Sequence, residues 1–468
     1  MSNEQQIRFV RKIKDKLDNV SPAFCLAKWT QSTIYLWNGH THSCHHPGTH
    51  KVPLENLDQN PSQLHNTPYK QKLRHDMING VKPPECEYCW NVENLGSDFL
   101  SDRHTKSAAD WSAPYFNEII ESGTGANFAP RYIEIAFETT CNFKCTYCFP
   151  HISSRINEEY VTHGPYILAN QQEYNSLDWI KQQGQYPISR KEYNPYIEAF
   201  WKWWPELYQK LDVFRITGGE PLLSKHTWAV LDYIDENPRK GLKFAINSNF
   251  GIEGSLVDKL IDKLNSISRK GVEVEVYTSL ESTGKQAEYS RFGLDYNLFR
   301  RNVDKFLSET DAKIPLNFMT TVNILAVSTF TDFLKYILDL RAKYNVDSAN
   351  SRVGVSISYL RYPEFLALPN LPADLKEFYG NQWVDLVKSN VRKYSSNLPT
   401  TAEFYLEELN QVERMVEWMK ITPFWKGGDL QTQHDSFRLY HEEYDRRRNT
   451  VFSEVFPELA SMIKNDRN

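Results

Sequence analysis

Apolar positions in the middle of the chain follow two periods, one typical of strands and one typical of helices. Six short apolar-rich runs are typical of strands: 131–137, 212–223, 243–247, 272–280, 315–325 and 353–360. Helical spacing marks 226–236 and 256–267, and the second carries a stripe formed by Leu256, Leu260, Leu264 and Ile267. Strands that alternate with helices pair in parallel through helical crossovers. The pattern therefore predicts an α/β fold, either a barrel or part of one.

The predicted barrel is interrupted once and flanked on both sides. The insertion at 151–211 is rich in Tyr and Trp, and it fits either helices packed outside the barrel or a segment that contacts substrate. We divide the chain into an N-terminal Cys-rich module (1–128), the barrel (129–361) and a helical C-terminal extension (362–468).

The extension carries two segments with the pattern of exposed amphipathic helices, 412–420 and 442–456. Three consecutive arginines, Arg446, Arg447 and Arg448, lie in the second segment beside several acidic residues. We interpret them as a solvated, ion-paired face rather than a nucleic-acid patch.

Composition excludes several classes of protein. Of 468 residues, 40% are hydrophobic and 24% are charged, and the formal net charge is -5. No apolar run approaches the ~18 residues of a membrane span, and the amino-terminal stretch lacks the apolar core of a secretory signal. We therefore expect a cytoplasmic protein without a membrane partner. Lys and Arg are scattered along the chain, which makes nucleic acid an unexpected partner.

Cysteines are the most informative residues of the composition. There are seven, and an odd number in a chain of this type favours metal binding over disulfides. Cys141, Cys145 and Cys148 form a C-x3-C-x2-C spacing soon after the first predicted strand. Three such thiolates can each bind one iron of a four-iron cluster and leave the fourth iron without a protein ligand. Structural zinc is the alternative, although it usually needs four ligands and only His151 is near enough in sequence to complete the set.

A second motif ends the second predicted strand. Gly218, Gly219, Glu220 and Pro221 expose backbone and one carboxylate, which suits an incoming ammonium group. With the C-x3-C-x2-C triplet, this segment resembles the radical S-adenosylmethionine (SAM) superfamily. The resemblance implies a partial (β/α)6 TIM-like barrel and a [4Fe-4S] cluster held by the three cysteines, with SAM bound at its open iron. It also implies that the 218–221 segment holds the SAM amino group and that Tyr147 lies against the adenine.

The resemblance continues less regularly along the later strands. Maturases of this superfamily contact SAM through the Ser of an S-x-D-G segment and an Arg twelve residues later. Ser279 and Arg291 keep that spacing, but the segment here is S-L-E-S, so the Asp and the Gly are replaced. Asn247, which ends the third strand, is a further candidate for SAM contact. The alternative is that Ser279 and Asn247 cap strand ends or helix starts.

The other four cysteines precede the barrel. Cys25 and Cys44 enclose the spacing C-x13-G-x4-C, and Cys86 and Cys89 form C-x2-C after a gap. A glycine before a ligand suits a tight hairpin, and C-x2-C supplies two thiolates from one turn. This spacing resembles half of the auxiliary-cluster modules called twitch or SPASM domains, which follow the barrel in most relatives. The resemblance implies a second, auxiliary [4Fe-4S] cluster.

Zinc is the alternative for these four cysteines, because four thiolates are a common zinc ligand set. Four histidines crowd around Cys44 and could assist: His40, His42, His45 and His46. We interpret these histidines as a polar surface loop that needs no metal.

Two filled sites would use all seven cysteines and leave none as a nucleophile or thiyl radical. A cluster with four thiolates is coordinatively saturated, so it would move an electron rather than bind substrate, which favours net oxidation.

By resemblance, reductive cleavage of SAM would give a 5′-deoxyadenosyl radical that removes a substrate hydrogen, and a flavodoxin or ferredoxin would supply the electron. A peptide or protein is the expected substrate, with a nucleotide, sugar or other small metabolite as the alternative. A zinc-bearing scaffold without chemistry is the alternative of another class. The sequence identifies no catalytic acid or base.

Overall fold

The computed structural model describes residues 3–124, 127–345, 351–391, 402–421 and 428–464. The strands are β1 (Gln31–Tyr35), β2 (His40–His42), β3 (His50–Lys51), β4 (Tyr132–Ala136), β5 (Lys144–Cys145), β6 (Val213–Thr217), β7 (Lys243–Asn247), β8 (Glu273–Ser279), β9 (Arg291–Phe292), β10 (Leu316–Met319) and β11 (Val353–Ser356).

The α-helices are α1 (Asn3–Val20), α2 (Ala27–Thr30), α3 (Pro68–Ile78), α4 (Glu87–Glu93), α5 (Asp102–Ser107), α6 (Phe116–Ser122), α7 (Ser154–His163), α8 (Leu177–Gln182), α9 (Pro195–Lys210), α10 (Lys225–Glu236), α11 (Gly254–Arg269), α12 (Gly284–Ser290), α13 (Tyr296–Glu309), α14 (Phe330–Tyr344), α15 (Ala373–Ser389), α16 (Leu406–Lys420), α17 (Leu430–Arg448) and α18 (Phe452–Val455). Short 3-10 helices cover Pro61–Leu64, Pro84–Cys86, Ala113–Tyr115, Glu173–Asn175, Pro221–Leu223, Ile324–Ala326, Glu364–Leu366, Leu368–Asn370 and Pro457–Ile463.

Each of the six runs predicted as strands contains one, but three of the strands are much shorter than predicted. The strand in the run 212–223 ends at Thr217, the strand in 315–325 ends at Met319, and the strand in 353–360 ends at Ser356. Beyond the first two points, apolar residues lie in the 3-10 helices Pro221–Leu223 and Ile324–Ala326. A short apolar run has the same pattern in a strand and in a buried turn, so periodicity could not locate the strand ends.

The described chain forms two compact units, each assembled from separate stretches. The first comprises Met1–Thr139, Gly184–Thr227 and Lys240–Ala245, and the second comprises Thr140–Gln183, Trp228–Arg239 and Ile246–Asn468. The three-part division predicted from the sequence does not coincide with these units. The N-terminal Cys-rich segment shares the first unit with β4 and β6, and the 151–211 insertion is divided between the two.

The first unit is built on a sheet with the strand order β6-β4-β1-β2-β3. β4 pairs in parallel with both β6 and β1, and β1 continues into an antiparallel hairpin with β2 and β3. β1 is not among the predicted strands. Its five residues, QSTIY, are mostly polar yet four are buried, because the strand lies inside the sheet rather than at a solvated edge.

The second unit contains the parallel order β8-β10-β11, and β7 is divided between the units. The helix predicted at 256–267 is α11, and it buries Leu260, Leu264 and Ile267 as expected, whereas Leu256 is only half-buried. In the described chain β3 pairs only with β2 and β11 only with β10, so the mostly parallel sheet is open and no barrel closes. The protein is a mixed α/β protein.

The C-terminal segments are helical, but they are not exposed as expected. α16 includes the predicted segment 412–420 and buries Val412, Met415 and Met419. α17 ends at Arg448 and the short α18 follows at Phe452–Val455, so the segment predicted at 442–456 is divided between two helices. Within the described residues, no helix combines the length and the apolar character needed to cross a bilayer.

The interpretation of the three arginines as a solvated face is wrong for two of them. The side chains of Arg447 and Arg448 are 2% and 1% exposed and lie beside the buried carboxylate of Glu159. Arg446 is exposed and pairs with Glu443 on its own helix. The buried partner of the first two comes from α7, almost 300 residues earlier, so no local pattern revealed it.

Candidate functional site

The cysteines of the C-x3-C-x2-C motif lie on one loop of the second unit, residues 140–153, called here the three-cysteine loop. Two of its residues form β5, which pairs antiparallel with β9 and places Cys145 opposite Arg291. The pairing continues at Thr146, whose N–H donates to Ser290 O at 2.8 Å. All three thiols are free and half-buried. The loop therefore carries its thiols on a backbone that is fixed at its centre.

An asparagine anchors the start of this loop. Asn142 Nδ2 donates to Gly251 O at 2.6 Å, and Asn142 Oδ1 accepts from Asn249 Nδ2 at 2.7 Å. Gly293 has a φ of +105°, and a Cβ at this position would lie 2.9 Å from Asn142 O. Only glycine allows this approach at this φ. The loop is thus held at its start as well as at its centre.

A buried ion pair lies beside the middle of the loop. Arg291 donates to Glu281 at 2.6 Å, and their side chains are only 6% and 1% exposed. Tyr147 Oη donates to the same carboxylate at 3.0 Å, and the Arg291 guanidinium lies 5.6 Å from the Tyr147 ring centre. Burial raises the pKa of the Cys145 and Cys148 thiols, and Arg291 partly opposes this effect. The sequence had singled out Tyr147 and Arg291 separately, and the structure joins them through Glu281.

Asn247 and Ser279 lie at the carboxyl ends of neighbouring elements of the second unit. Asn247 ends β7, and its Nδ2 lies 3.9 Å from Met319 Sδ. Ser279 ends β8 and pairs in register with the same methionine on β10. Carboxyl ends of parallel strands are where ligands bind in α/β proteins. The structure therefore groups these two predicted residues around Met319, which the sequence analysis did not select.

The glycine-rich segment after β6 belongs to the first unit. Gly218 has a φ of +134°, and a Cβ there would lie 2.9 Å from Glu138 O, so a side chain would not fit. Gly219 N–H donates to the same oxygen at 3.2 Å. Glu220 is 2% exposed, and its carboxylate accepts from Leu222 N at 3.1 Å. The segment thus packs against the end of β4, and Glu220 caps the short helix that follows.

The four N-terminal cysteines converge in space. Cys25 lies just before α2, Cys44 follows β2, and Cys86 and Cys89 lie at the junction between a 3-10 helix and α4. All four line one cavity of the first unit, called here the four-cysteine cavity. Residues separated by up to 64 positions therefore meet at one place, as the predicted ligand set requires.

Polar groups in this cavity suit an anionic occupant. Burial raises the pKa of Cys86 to about 12 and that of Cys89 to about 11, so both are neutral thiols without a metal. Lys28 and Lys106 lie in the same wall. Ser43 is 3% exposed, and its Oγ has no hydrogen-bond partner in the described part of the chain. A buried donor without an acceptor is costly unless a further group accepts from it.

Two more buried cations lie in the same unit and are held by neutral acceptors. Lys70 Nζ donates to Ser32 Oγ at 2.9 Å and to Thr41 Oγ1 at 3.0 Å. Arg74 donates to Asn66 Oδ1 at 2.7 Å and is fully buried. Burial lowers the pKa of Lys70 well below its usual range. An anionic centre in the unit would lower the electrostatic cost of these charges.

The histidines near Cys44 do not form the expected surface loop. His40 and His42 belong to β2 and are buried, and burial lowers the pKa of each to about 4. His46 alone of the four lines the four-cysteine cavity, where its Nε2 lies 2.8 Å from Asp102 and its ring stacks on Tyr88. His46 therefore already has protein partners.

The C-terminal helix α17 supports the three-cysteine loop, which the sequence analysis did not anticipate. Tyr440 Oη donates to Thr146 O at 3.0 Å. Glu159 binds Lys144 of the loop at 2.9 Å and Arg448 of α17 at 3.1 Å. A stripe of large residues at four-residue spacing was the available signal: Tyr440, Tyr444 and Arg448.

A further cavity of the first unit lies at the carboxyl ends of β1 and β4. Its volume is about 270 Å³, and its walls include Trp37 and the 137–139 segment that leads toward the cysteine triplet in the chain. Arg190 lies 3.5 Å from Glu138, and His226 stacks on Phe137. Part of the 151–211 insertion thus forms a wall of a polar, aromatic cavity.

No protein-family model matches the chain, and no curated protein has a significantly similar sequence. In the arrangement of the described residues, no group of three or more His, Cys, Asp and Glu side chains is found that could hold a metal ion. The fold and the two cysteine sites define a mixed α/β protein with two groups of free thiols.

Proposed function

We propose that this protein is a radical SAM enzyme with a second, auxiliary iron–sulfur cluster. The observation that carries the proposal is the sorting of all seven cysteines into two places. Four line one cavity, and three lie on one loop that follows a parallel strand in the chain. Chance placement would not bring four distant thiols together and leave the remaining three on one loop. The six strands from β4 to β11 that match the predicted runs would form the partial (β/α)6 barrel of such an enzyme.

The residues of both sites fit this assignment. Thiols on a common wall can change their mutual spacing by rotating about Cα–Cβ. The unpartnered Ser43 Oγ and the ammonium groups of Lys28 and Lys106 offer donors to sulfur ligands. In the three-cysteine loop, three thiolates leave one iron open for the amino and carboxylate groups of SAM.

The neighbouring side chains then have distinct roles. Glu220 provides a carboxylate for the SAM ammonium group, and Asn247 and Ser279 provide polar groups at strand ends. Glu281 and Arg291 hold Tyr147 in place beside the cysteines. When bound, the cluster and SAM supply the one-electron chemistry that removes a hydrogen atom from the substrate. A reduced flavodoxin or ferredoxin in the cytoplasm would be the electron donor.

A peptide is the substrate class that we favour, and the cavity beside β1 and β4 supports it. Trp37 is 5% exposed, and its indole N–H has no acceptor in the described chain, so a peptide carbonyl suits it. Charges of both signs line the cavity, among them Glu192 and Lys225. A small metabolite is the competing substrate class.

Metal analysis tests the proposal. Anaerobic reconstitution should give about eight irons and eight sulfides per chain. Replacing Cys141, Cys145 and Cys148 with Ala should leave about four, and replacing Cys86 and Cys89 should remove the other four. The reduced wild-type protein should release 5′-deoxyadenosine slowly, and the triple variant should not. Stoichiometric zinc without iron would reject the enzyme and favour the scaffold alternative.

A further inference from the structure

The four-cysteine cavity has cations in its wall that differ in how well they are neutralised. Arg103 lies 2.9 Å from Glu93 and 3.0 Å from Asp18, so two carboxylates balance it. Lys28 pairs with one carboxylate, Glu85, and its side chain is 3% exposed. Of these two deeply buried cations of the cavity wall, Lys28 is therefore the one balanced by a single carboxylate.

The position of Lys28 is fixed by its backbone. It lies on α2, three residues after the first ligand candidate, and its N–H donates to Cys25 O at 3.2 Å. Lys28 O accepts from Arg74 Nε at 3.1 Å. These bonds fix the backbone of Lys28, and the salt bridge to Glu85 holds its ammonium group.

The charge of Lys28 is held in the cavity wall by Glu85. Lys28 and the four cysteines line the same cavity, and the salt bridge to the Glu85 carboxylate favours the protonated ammonium group. Glu85 accepts a hydrogen bond from Tyr69 Oη at 2.6 Å, which draws part of the carboxylate charge away from the Lys28 ammonium group.

A fixed buried cation changes the energy of adding an electron. A four-iron cluster with four thiolates has a net charge of about -2, and reduction makes it more negative. A nearby positive charge stabilises the reduced form more than the oxidised form. This difference is larger in a buried site, because solvent and salt screen it less.

We propose that Lys28 sets the reduction potential of the four-cysteine centre by holding a permanent positive charge in its wall. The inference rests on the proposed function, since it requires a cluster at that site. Lys28 would act through the cluster and not on the substrate itself. A higher reduction potential makes the auxiliary cluster a better electron acceptor. The enzyme would then be built to oxidise its substrate radical.

The test uses the full chain with Cys141, Cys145 and Cys148 replaced by Ala, so that only the auxiliary cluster remains. Its midpoint potential is measured by redox titration followed by electron paramagnetic resonance. In this background we compare Lys28→Met, Lys28→Arg and Glu85→Gln. Lys72→Met is the matched control, because Lys72 is 70% exposed on α3 and pairs with Asp76.

The expected shifts have opposite signs. Lys28→Met should favour the oxidised form at least tenfold, which is about 59 mV toward negative potential for one electron. Lys28→Arg should retain most of the wild-type potential. Glu85→Gln should shift the potential the other way, because it removes the balancing negative charge. Lys72→Met should leave the potential unchanged.

An unchanged midpoint potential in Lys28→Met with the cluster intact overturns the inference. A negative shift in Lys28→Arg as large as that in Lys28→Met also overturns it. If Lys28→Met cannot hold a cluster, Glu85→Gln decides, and the absence of a positive shift rejects the inference. A background protein that binds zinc or no iron rejects the proposed function instead, so the two failures are distinguishable.

Discussion

At the scale of single residues, the three-cysteine loop depends on a charge from the segment that follows β8. Glu281 is fully buried and accepts from both Arg291 and Tyr147. Removing one partner of a buried ion pair leaves the other charge uncompensated, which costs more than the pair itself contributes.

Glu281→Gln should therefore lower the free energy of unfolding by about 3–5 kcal/mol, because Arg291 would stay buried without its counter-charge. Urea denaturation of the purified protein measures this loss. The exposed pair between Glu417 and Lys420 provides the control, since Glu417→Gln should change stability by less than about 1 kcal/mol. Equal effects of the two substitutions would contradict the assignment of a buried pair.

Glu220 tests the SAM site at the same scale, and the choice of substitution matters. Its carboxylate also caps the Pro221–Leu223 helix through Leu222 N, so alanine would disturb the turn. Glutamine keeps an acceptor oxygen but loses the charge. Glu220→Gln should weaken SAM binding by about 1.5–3 kcal/mol, the value of a hydrogen bond to a charged group. Calorimetric titration with SAM measures the change, and unchanged affinity would remove Glu220 from the site.

At the scale of elements, the cysteine loop is supported by segments that are distant in the chain. β9 pairs with β5, and α17 contacts the loop through Tyr440 and through the Glu159 cluster. These supports are all within the second unit. The stability of the loop therefore depends on the folding of the whole second unit, and not on the C-x3-C-x2-C motif alone.

Two neighbouring arginines of α17 allow a matched comparison. Arg448 is 1% exposed and donates to Glu159, whereas Arg446 is 64% exposed. Arg448→Ala should lower the free energy of unfolding by about 1.5–3 kcal/mol and speed iron loss from the three-cysteine loop. Arg446→Ala should leave the free energy of unfolding nearly unchanged, because this side chain is exposed. Thermal unfolding and timed iron release from reconstituted protein separate the two cases, and similar losses would argue against the support role.

At the scale of the whole molecule, many histidines are held neutral by burial. His441 is fully buried, and burial lowers its pKa to about 3. Burial also lowers the pKa of His50 to about 3 and that of His226 to about 4. An unfolded histidine takes up a proton near pH 6.5, so the unfolded chain binds more protons than the folded chain between these values.

Stability should therefore be complete above about pH 6.5 and should fall as the pH decreases below it. Each fully buried histidine would cost about 2 kcal/mol between pH 6.5 and pH 5. His441→Gln should reduce this fall by about that amount, as measured by urea denaturation at both pH values. His163→Gln is the control because His163 is exposed on α7. An unchanged pH dependence of stability in His441→Gln would show that the His441 imidazole is not held in a buried, neutral state in solution.

Much of the fold could be predicted because its signals are local. All six runs predicted as strands contain a strand, and α11 buries most of its predicted apolar stripe. Both could be predicted because the spacing of apolar side chains reflects which face of an element packs on the core. The division of the cysteines into a triplet and a set of four also came from spacing alone. β1 escaped prediction because its residues are polar, and their burial depends on the neighbours β4 and β2 rather than on the segment itself.

The sequence by itself determined the alternation of strands and helices and the spacing of candidate ligands, because both are set by residues close together in the chain. Only the tertiary structure decided that Cys25, Cys44 and the C-x2-C pair share one cavity and that Glu281 is the partner of Arg291. It also decided that α17 carries buried charges. These features depend on which distant segments pack together and exclude water, and a buried charge is stable only where such packing brings its partner to it.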